Sequence, residues 1–222
     1  KYLFFTTRNG IVKRTSTSQF SNIRTNGLKA LKLRDGDELI NVLRTSGEDE
    51  VIIGTHLGYS VRFKGAVVRD MGRAAAGVKG VNLREGDYVV GTSRIDDSQE
   101  VLVISENGLG KRTQASEYPT KGRGGKGMKV MNVTERTGKL AGLTAVNGDE
   151  DLMVITDTGV IIRTNVANIS QTGRAAQGVK VMRLDDEAQI VTFALVDPVI
   201  EDEEVDAPEL TDETISTDNN EE

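Results

Sequence analysis

Four cations alternate with four glycines in residues 121–129, Lys-Gly-Arg-Gly-Gly-Lys-Gly-Met-Lys. Glycines let a backbone turn tightly and approach another surface. Cations set between them make that surface attractive to phosphate. The stretch recurs. Residues 72–79 read Gly-Arg-Ala-Ala-Ala-Gly-Val-Lys, and residues 173–180 read Gly-Arg-Ala-Ala-Gln-Gly-Val-Lys. Residues 22–29, Asn-Ile-Arg-Thr-Asn-Gly-Leu-Lys, form a shortened copy. The candidate phosphate-binding residues are Lys121, Arg123, Lys126 and Lys129 in the richest loop, then Arg73 with Lys79, Arg174 with Lys180, and Arg24 with Lys29. A second set closes a short run ahead of each loop: Arg14, Arg62, Arg112 and Arg163, accompanied by Lys13, Lys64 and Lys111.

Other chemistries find little support. Residues 122–127 match Gly-x-Gly-x-x-Gly, but a dinucleotide site needs that motif to open a helix, and the Met-Lys-Val-Met-Asn-Val that follows is strand-like. A phosphate-binding Walker loop needs Lys then Ser or Thr at its end, which Met128 and Lys129 do not supply. His56 is the only histidine and there is no cysteine. A thiolate metal site is therefore excluded, and a histidine-based metal site or triad has only His56 to build on. The four tyrosines, Tyr2, Tyr59, Tyr88 and Tyr118, read as packing residues. No catalytic, cofactor-binding or metal-binding residue is expected in this chain.

The loops must be positioned by repeated elements. Their last glycines, Gly27, Gly77, Gly127 and Gly178, are spaced by 50, 50 and 51 residues. Each repeat opens on an apolar run, at residues 2–5, 51–53, 101–104 and 152–155. Each run is followed by a turn ending in Gly10, Gly58, Gly108 or Gly159, a short run closing on the arginine, and the basic loop. Further strand-like segments, such as 39–43, 88–92 and 190–196, close the units. Asn9-Gly10 and Asn107-Gly108 predict type I′ hairpin turns. Val, Ile and Thr crowd the flanking runs, and no helical period appears. The reading is an all-β, propeller-like chain of four-stranded blades, with units at 1–50, 51–100, 101–150 and 151–198. A pair of all-β sandwiches is the alternative, disfavoured by the regularity of the repeat. Equivalent positions of such blades fall on one rim, so the cations form a basic belt suited to a bent duplex held through phosphate. Aromatics are too few for a single-strand stacking platform, and no base-reading helix is visible, so sequence preference should be weak. The competing role for each arginine is a pairing with an Asp or Glu of the next blade.

Charge supports this division. The 222 residues carry 28 cations and 34 acids, a net charge of −6. Residues 199–222 hold 11 of the acids and no Lys or Arg, which leaves residues 1–198 at +5. A basic body with an acidic tail points to nucleic-acid contact by the body, and the tail is expected to be disordered. The tail then either solvates the chain or competes with DNA for the basic surface. Absence of cysteine suits a reducing cytoplasm. No apolar run approaches the ~20 residues of a membrane span. The abrupt strand-like start reads as that of a fragment.

With these residues in view, the chain resembles the C-terminal domain of the DNA gyrase A subunit over residues 1–198. The resemblance rests on the ~50-residue repeat, on openings such as Tyr-Leu-Phe-Phe-Thr-Thr-Arg-Asn-Gly, on the two kinds of basic loop and on the acidic tail. It implies a β-pinwheel whose blades exchange strands and which wraps duplex DNA around a positive rim in support of negative supercoiling. It also implies assembly as A2B2 with the rest of the A subunit, together with B subunits, and a cytoplasmic, nucleoid-associated location. ATP, Mg2+ and the nucleophilic tyrosine would belong to other domains. The family's signature box, Gln-Arg-Arg-Gly-Gly-Lys-Gly, is matched at five of seven positions by residues 121–127, with Lys121 and Gly122 departing. That family normally has six blades, so one or two blades with the true box are expected upstream. The related topoisomerase IV A subunit shares the repeat and is the nearest alternative. A propeller-like scaffold binding acidic protein is a further one.

Overall fold

The computed structural model describes residues 1–185 and 187–198; the expected acidic tail lies outside them. Every unit is built on one antiparallel hairpin with a third strand added on its first-strand side. In unit I the hairpin is β1 (Tyr2–Thr7) and β2 (Ile11–Ser16), and β3 (Leu39–Thr45) pairs with β1. In unit II, β4 (Glu50–Thr55) and β5 (Tyr59–Lys64) form the hairpin; β6 (Val78–Lys79) is a two-residue strand in the basic loop, and β7 (Val89–Ile95) pairs with β4. Unit III has β8 (Glu100–Ser105), β9 (Leu109–Gln114), the loop strand β10 (Met128–Lys129) and β11 (Leu140–Val146). Unit IV has β12 (Asp151–Thr156), β13 (Ile161–Asn165), the loop strand β14 (Val179–Lys180) and β15 (Ile190–Val196).

One expectation needs correction. The asparagine-glycine turns are not type I′. That turn needs positive φ at both central residues, whereas Gly10 and Gly108 have it and Asn9 and Asn107 do not. Three residues separate the strands, and the glycine alone takes the left-handed conformation, the arrangement of a three-residue hairpin loop. The four strands of one sheet do not all come from one unit. The fourth strand is donated by the next: β6 pairs with β2, β10 with β5, and β14 with β9. The sheets therefore read β3-β1-β2-β6, β7-β4-β5-β10, β11-β8-β9-β14 and β15-β12-β13, the last with three strands. Strand exchange of this kind is what the pinwheel resemblance implies.

The exchanged strand explains the loop's last glycine. A Cβ at Gly77, Gly127 or Gly178 would lie 2.5 Å, 2.6 Å and 2.4 Å from a backbone oxygen of the preceding unit (Val12, Ser60, Gly110), and all three residues have positive φ. Only glycine tolerates both the conformation and the approach.

The core is divided among the junctions. Successive side chains of a strand point to opposite faces. Thus Val51 and Ile53 of β4 pack toward unit I with Phe4 and Val12, while Ile52 packs toward unit III with Val101 and Val103. Leu102 and Ile104 of β8 turn to unit IV, where Leu152 and Val154 meet them. This is why the openings read as unbroken apolar runs: both faces are covered. The inner strands β3, β7, β11 and β15 all contribute to one cavity of about 390 Å³, lined by Ile40, Val90, Gly142 and Phe193 among others, which marks the propeller axis.

Candidate nucleic-acid interface

The loops stand in a row on the outer side of the sheets, and loops II to IV are tied each to the next. Arg123 donates from Nη1 to the Lys79 carbonyl at 3.0 Å, and Arg174 donates likewise to the Lys129 carbonyl at 3.0 Å. Backbone bonds reinforce the first contact: Gly124 N–H to Gly80 O at 2.6 Å and Asn82 N–H to Gly125 O at 2.8 Å. Arg84 stacks over Tyr59 at 3.3 Å and donates to the Lys126 carbonyl at 2.6 Å. Loop II, loop III and loop IV are thereby stitched into one ridge.

On this ridge Lys79, Lys121, Arg123, Lys126, Lys129 and Lys180 are exposed, and Arg73 and Arg174 are half-buried. Arg24 and Lys29 of the shortened loop are exposed as well. The structure thus leaves every loop cation singled out by sequence at least partly open to solvent. Desolvation is small there, and the lysine ammonium groups can meet an anion without first breaking a buried pairing.

The arginines that close the hairpins sit differently. Arg62 is buried. It bonds Glu50 at 2.6 Å and Asp97 at 2.9 Å, and its Nη1 donates to the carbonyls of Ala115 at 2.9 Å and Tyr118 at 3.2 Å in the next unit. Arg112 repeats this with Glu100 at 2.6 Å and the carbonyls of Ile169 at 2.7 Å and Ala167 at 3.3 Å. Arg14 lies over the Tyr2 ring at 4.4 Å, and Arg163 pairs with Asp151 at 2.8 Å on the exposed side. Glu50, Glu100 and Asp151 come from the arginine's own hairpin, Asp97 from the turn after β7, while the next unit supplies carbonyl oxygens. Lys64 is exposed at the end of β5.

Sequence reasoning put Lys13 and Lys111 on the belt. Both are fully buried. Lys13 donates to the carbonyls of Ala30 at 2.7 Å and Arg73 at 2.6 Å, and Lys111 to those of Gly173 and Arg174. Burial, with the Arg174 charge adding to it and Glu117 opposing, brings the Lys111 ammonium down to about 8. Burial and Arg73 lower Lys13 as well. These two lysines hold basic loops from beneath. The equivalent positions in units II and IV are Val61 and Ile162. An apolar residue at two of four copies was the signal that this position points inward. Among the described residues, no group of three or more metal-ligating side chains could hold an ion, and no helix is long and apolar enough to cross a membrane.

The chain matches the family described as DNA gyrase C-terminal domain, beta-propeller, over residues 1–46, 49–96, 99–147 and 150–197. It is 74% identical over 198 residues to the DNA gyrase A subunit of Streptococcus pyogenes serotype M1, covering 89% of this chain and 24% of the relative. Identity to the DNA gyrase A subunit of Streptococcus pneumoniae serotype 4 is 72% over 204 residues, covering 92% and 25%. The chain thus spans about a quarter of the length of these curated relatives. Among solved structures, the C-terminal domain of DNA topoisomerase IV superposes with a TM-score of 0.83 at 27% identity, covering 88% of this chain and 62% of that one. A DNA gyrase A C-terminal domain gives 0.78 at 27% identity, covering 87% and 65%.

Proposed function

Because the chain belongs to the DNA gyrase C-terminal domain family, we propose that it binds duplex DNA along its stitched basic ridge and bends it, as the wrapping module of a gyrase A subunit. The observation that carries this reading is the pair of bonds from Arg123 to Lys79 O and from Arg174 to Lys129 O, which join three basic loops into one track. A bent duplex requires repeated phosphate contacts along one continuous surface, because the bend costs on the order of several kcal/mol and must be offset by added contacts. The exposed lysines and arginines of the loops contact phosphate in this reading. Arg62 and Arg112 act through the loops' placement.

The chemistry of strand passage then belongs to the rest of the assembly: the remainder of the A subunit, B subunits in an A2B2 complex, and ATP with Mg2+ held elsewhere. This chain contributes no reacting group. Its place is the cytoplasm, at the nucleoid. The residues 121–127 act as a box-like copy in the third unit. The acidic residues 199–222 compete with phosphate for the ridge. A topoisomerase IV origin is favoured by the larger TM-score, but identities above 70% to gyrase A subunits weigh more, since 27% identity separates the topoisomerase IV domain.

The test is a titration against duplexes of increasing length at several salt concentrations. Wrapping predicts tighter binding and end-to-end approach by FRET with long duplexes only. Replacing Lys121, Arg123 and Lys126 together by Gln should weaken binding and reduce the salt slope by about 2 to 3, near 0.9 per lost phosphate contact. An unchanged slope removes loop III from the interface, and no duplex binding at any length favours the protein-scaffold reading.

A further inference from the structure

A cavity of about 250 Å³ opens beneath loop III, between it and the outer edge of β5. Its apolar wall is made by Val61, Tyr118, Pro119 and Met128, and Lys121 and Lys126 stand on its lining. The repeat explains why it is there. Under loops II and IV, the equivalent space is crossed by the side chains of Lys13 and Lys111 on their way to loop carbonyls. At this junction the residue is Val61, shorter and uncharged. The loop differs too: Gly124 and Gly125 stand where loops II and IV have two alanines. A Cβ added at Gly122 would meet nothing within 4 Å, and one at Gly125 only Gly127 N at 3.9 Å. The space above the wall is open.

We propose that this cavity binds a small aromatic monoanion, a ring system of up to three rings carrying a carboxylate or sulfonate. Size sets the ring: an apolar cavity of about 150 Å³ already admits benzene. Charge sets the anion. No Asp or Glu lines the cavity, whereas two exposed lysines do. Arg62 lines it as well, but its guanidinium is engaged by Glu50 and Asp97. The ring lies against Val61 and Met128, and the anionic group faces Lys121 and Lys126 at the mouth. A duplex phosphate is excluded from the interior, since it cannot leave the backbone that carries it. Bound anion and DNA would nevertheless draw on the same two ammonium groups.

The probe is 1-anilinonaphthalene-8-sulfonate, whose emission rises in an apolar site, titrated into the full 222-residue chain. One saturable site is expected. Val61→Lys, which installs the side chain that units I and III carry, should weaken it at least tenfold. Lys121→Gln with Lys126→Gln changes two exposed side chains on the rim and should leave the fold intact; it should weaken the site about fivefold. The uncharged N-phenyl-1-naphthylamine should bind at least fivefold more weakly than the sulfonate. Equal affinity of the sulfonate for the wild type and the rim variant, or of the two dyes for the wild type, overturns the proposal. So does the absence of any saturable site. In a second arm, 1-naphthoate should raise the apparent Kd for duplex. That arm rests on the DNA reading, and the dye arm stands if duplex binding fails.

Discussion

The joints between units II and III and between units III and IV share one device and differ in another. In both, an arginine, buried at Arg62 and half-buried at Arg112, binds a glutamate of its own hairpin and reaches carbonyl oxygens around a single 3-10 turn of the next unit: Arg62 to Ala115 and Tyr118, Arg112 to Ile169 and Ala167. Beside it, the III/IV joint has Lys111 clamped on the carbonyls of Gly173 and Arg174, and the II/III joint has Val61 and a cavity. The arginine fixes how one blade meets the next. The neighbouring residue fixes how firmly the basic loop is held down. Loop III, with the most cations, is the one without the clamp.

The largest effect should come from the shared device. Removing one member of a buried ion pair leaves the other without a partner and costs about 3–5 kcal/mol. Arg62→Ala leaves Glu50 with the Thr120 hydroxyl and Arg112→Ala leaves Glu100 with the Gln114 amide in place of a cation, so both should lose stability toward the lower end of that scale in urea unfolding. A large loss for Arg112→Ala beside a negligible one for Arg62→Ala would break the equivalence of the two joints.

The clamp should give the next effect, and only at one joint. Lys111→Met keeps the buried stem but leaves two carbonyls without their donor, a loss of about 1–3 kcal/mol. Amide exchange in residues 173–178 should quicken with it. Val61→Met at the other joint changes volume alone and should cost below about 1.5 kcal/mol, with exchange in residues 122–127 unaltered. Equal acceleration in both loops would mean that the clamp does not distinguish them.

Much of this was legible beforehand, for identifiable reasons. The runs opening at Tyr2, Val51, Val101 and Leu152 are covered on both faces, so they appear as plain apolar strings whatever the topology. Gly77, Gly127 and Gly178 stand out because a backbone oxygen excludes any other residue. The exchange of β6, β10 and β14 was not legible from local pattern, since a two-residue strand has no periodicity and its partner lies in another unit. The burial of Arg62, Lys13 and Lys111 was hidden for a different reason. Composition assigns a cation to the surface, whereas here carboxylates and carbonyl oxygens satisfy it inside. Only comparison across the four copies, Lys13 and Lys111 against Val61 and Ile162, exposes the inward position.

The smallest effect concerns protonation, and it again separates the joints. Lys111 titrates at about 8 in the folded chain against an ordinary lysine value of 10.5. Above the folded value and below the unfolded one, the unfolded chain holds the extra proton, so unfolding becomes harder as pH rises. Wild type should therefore gain stability relative to Lys111→Met between about pH 8 and 10, the clamp persisting because a neutral amine still has two hydrogens for two carbonyls. Tyr118 works in the opposite sense, and only above the ordinary tyrosine value of 10.0. Burial pushes its hydroxyl up to about 12, so the unfolded chain loses that proton first and stability falls at higher pH. Val61 carries no proton, and Val61→Met should track wild type across the whole range. Urea unfolding of the three proteins at about pH 7.5, 9 and 10 reads the difference directly. Parallel curves for wild type and Lys111→Met would mean that Lys111 keeps an ordinary proton affinity and that the clamp is more open to water than its burial implies.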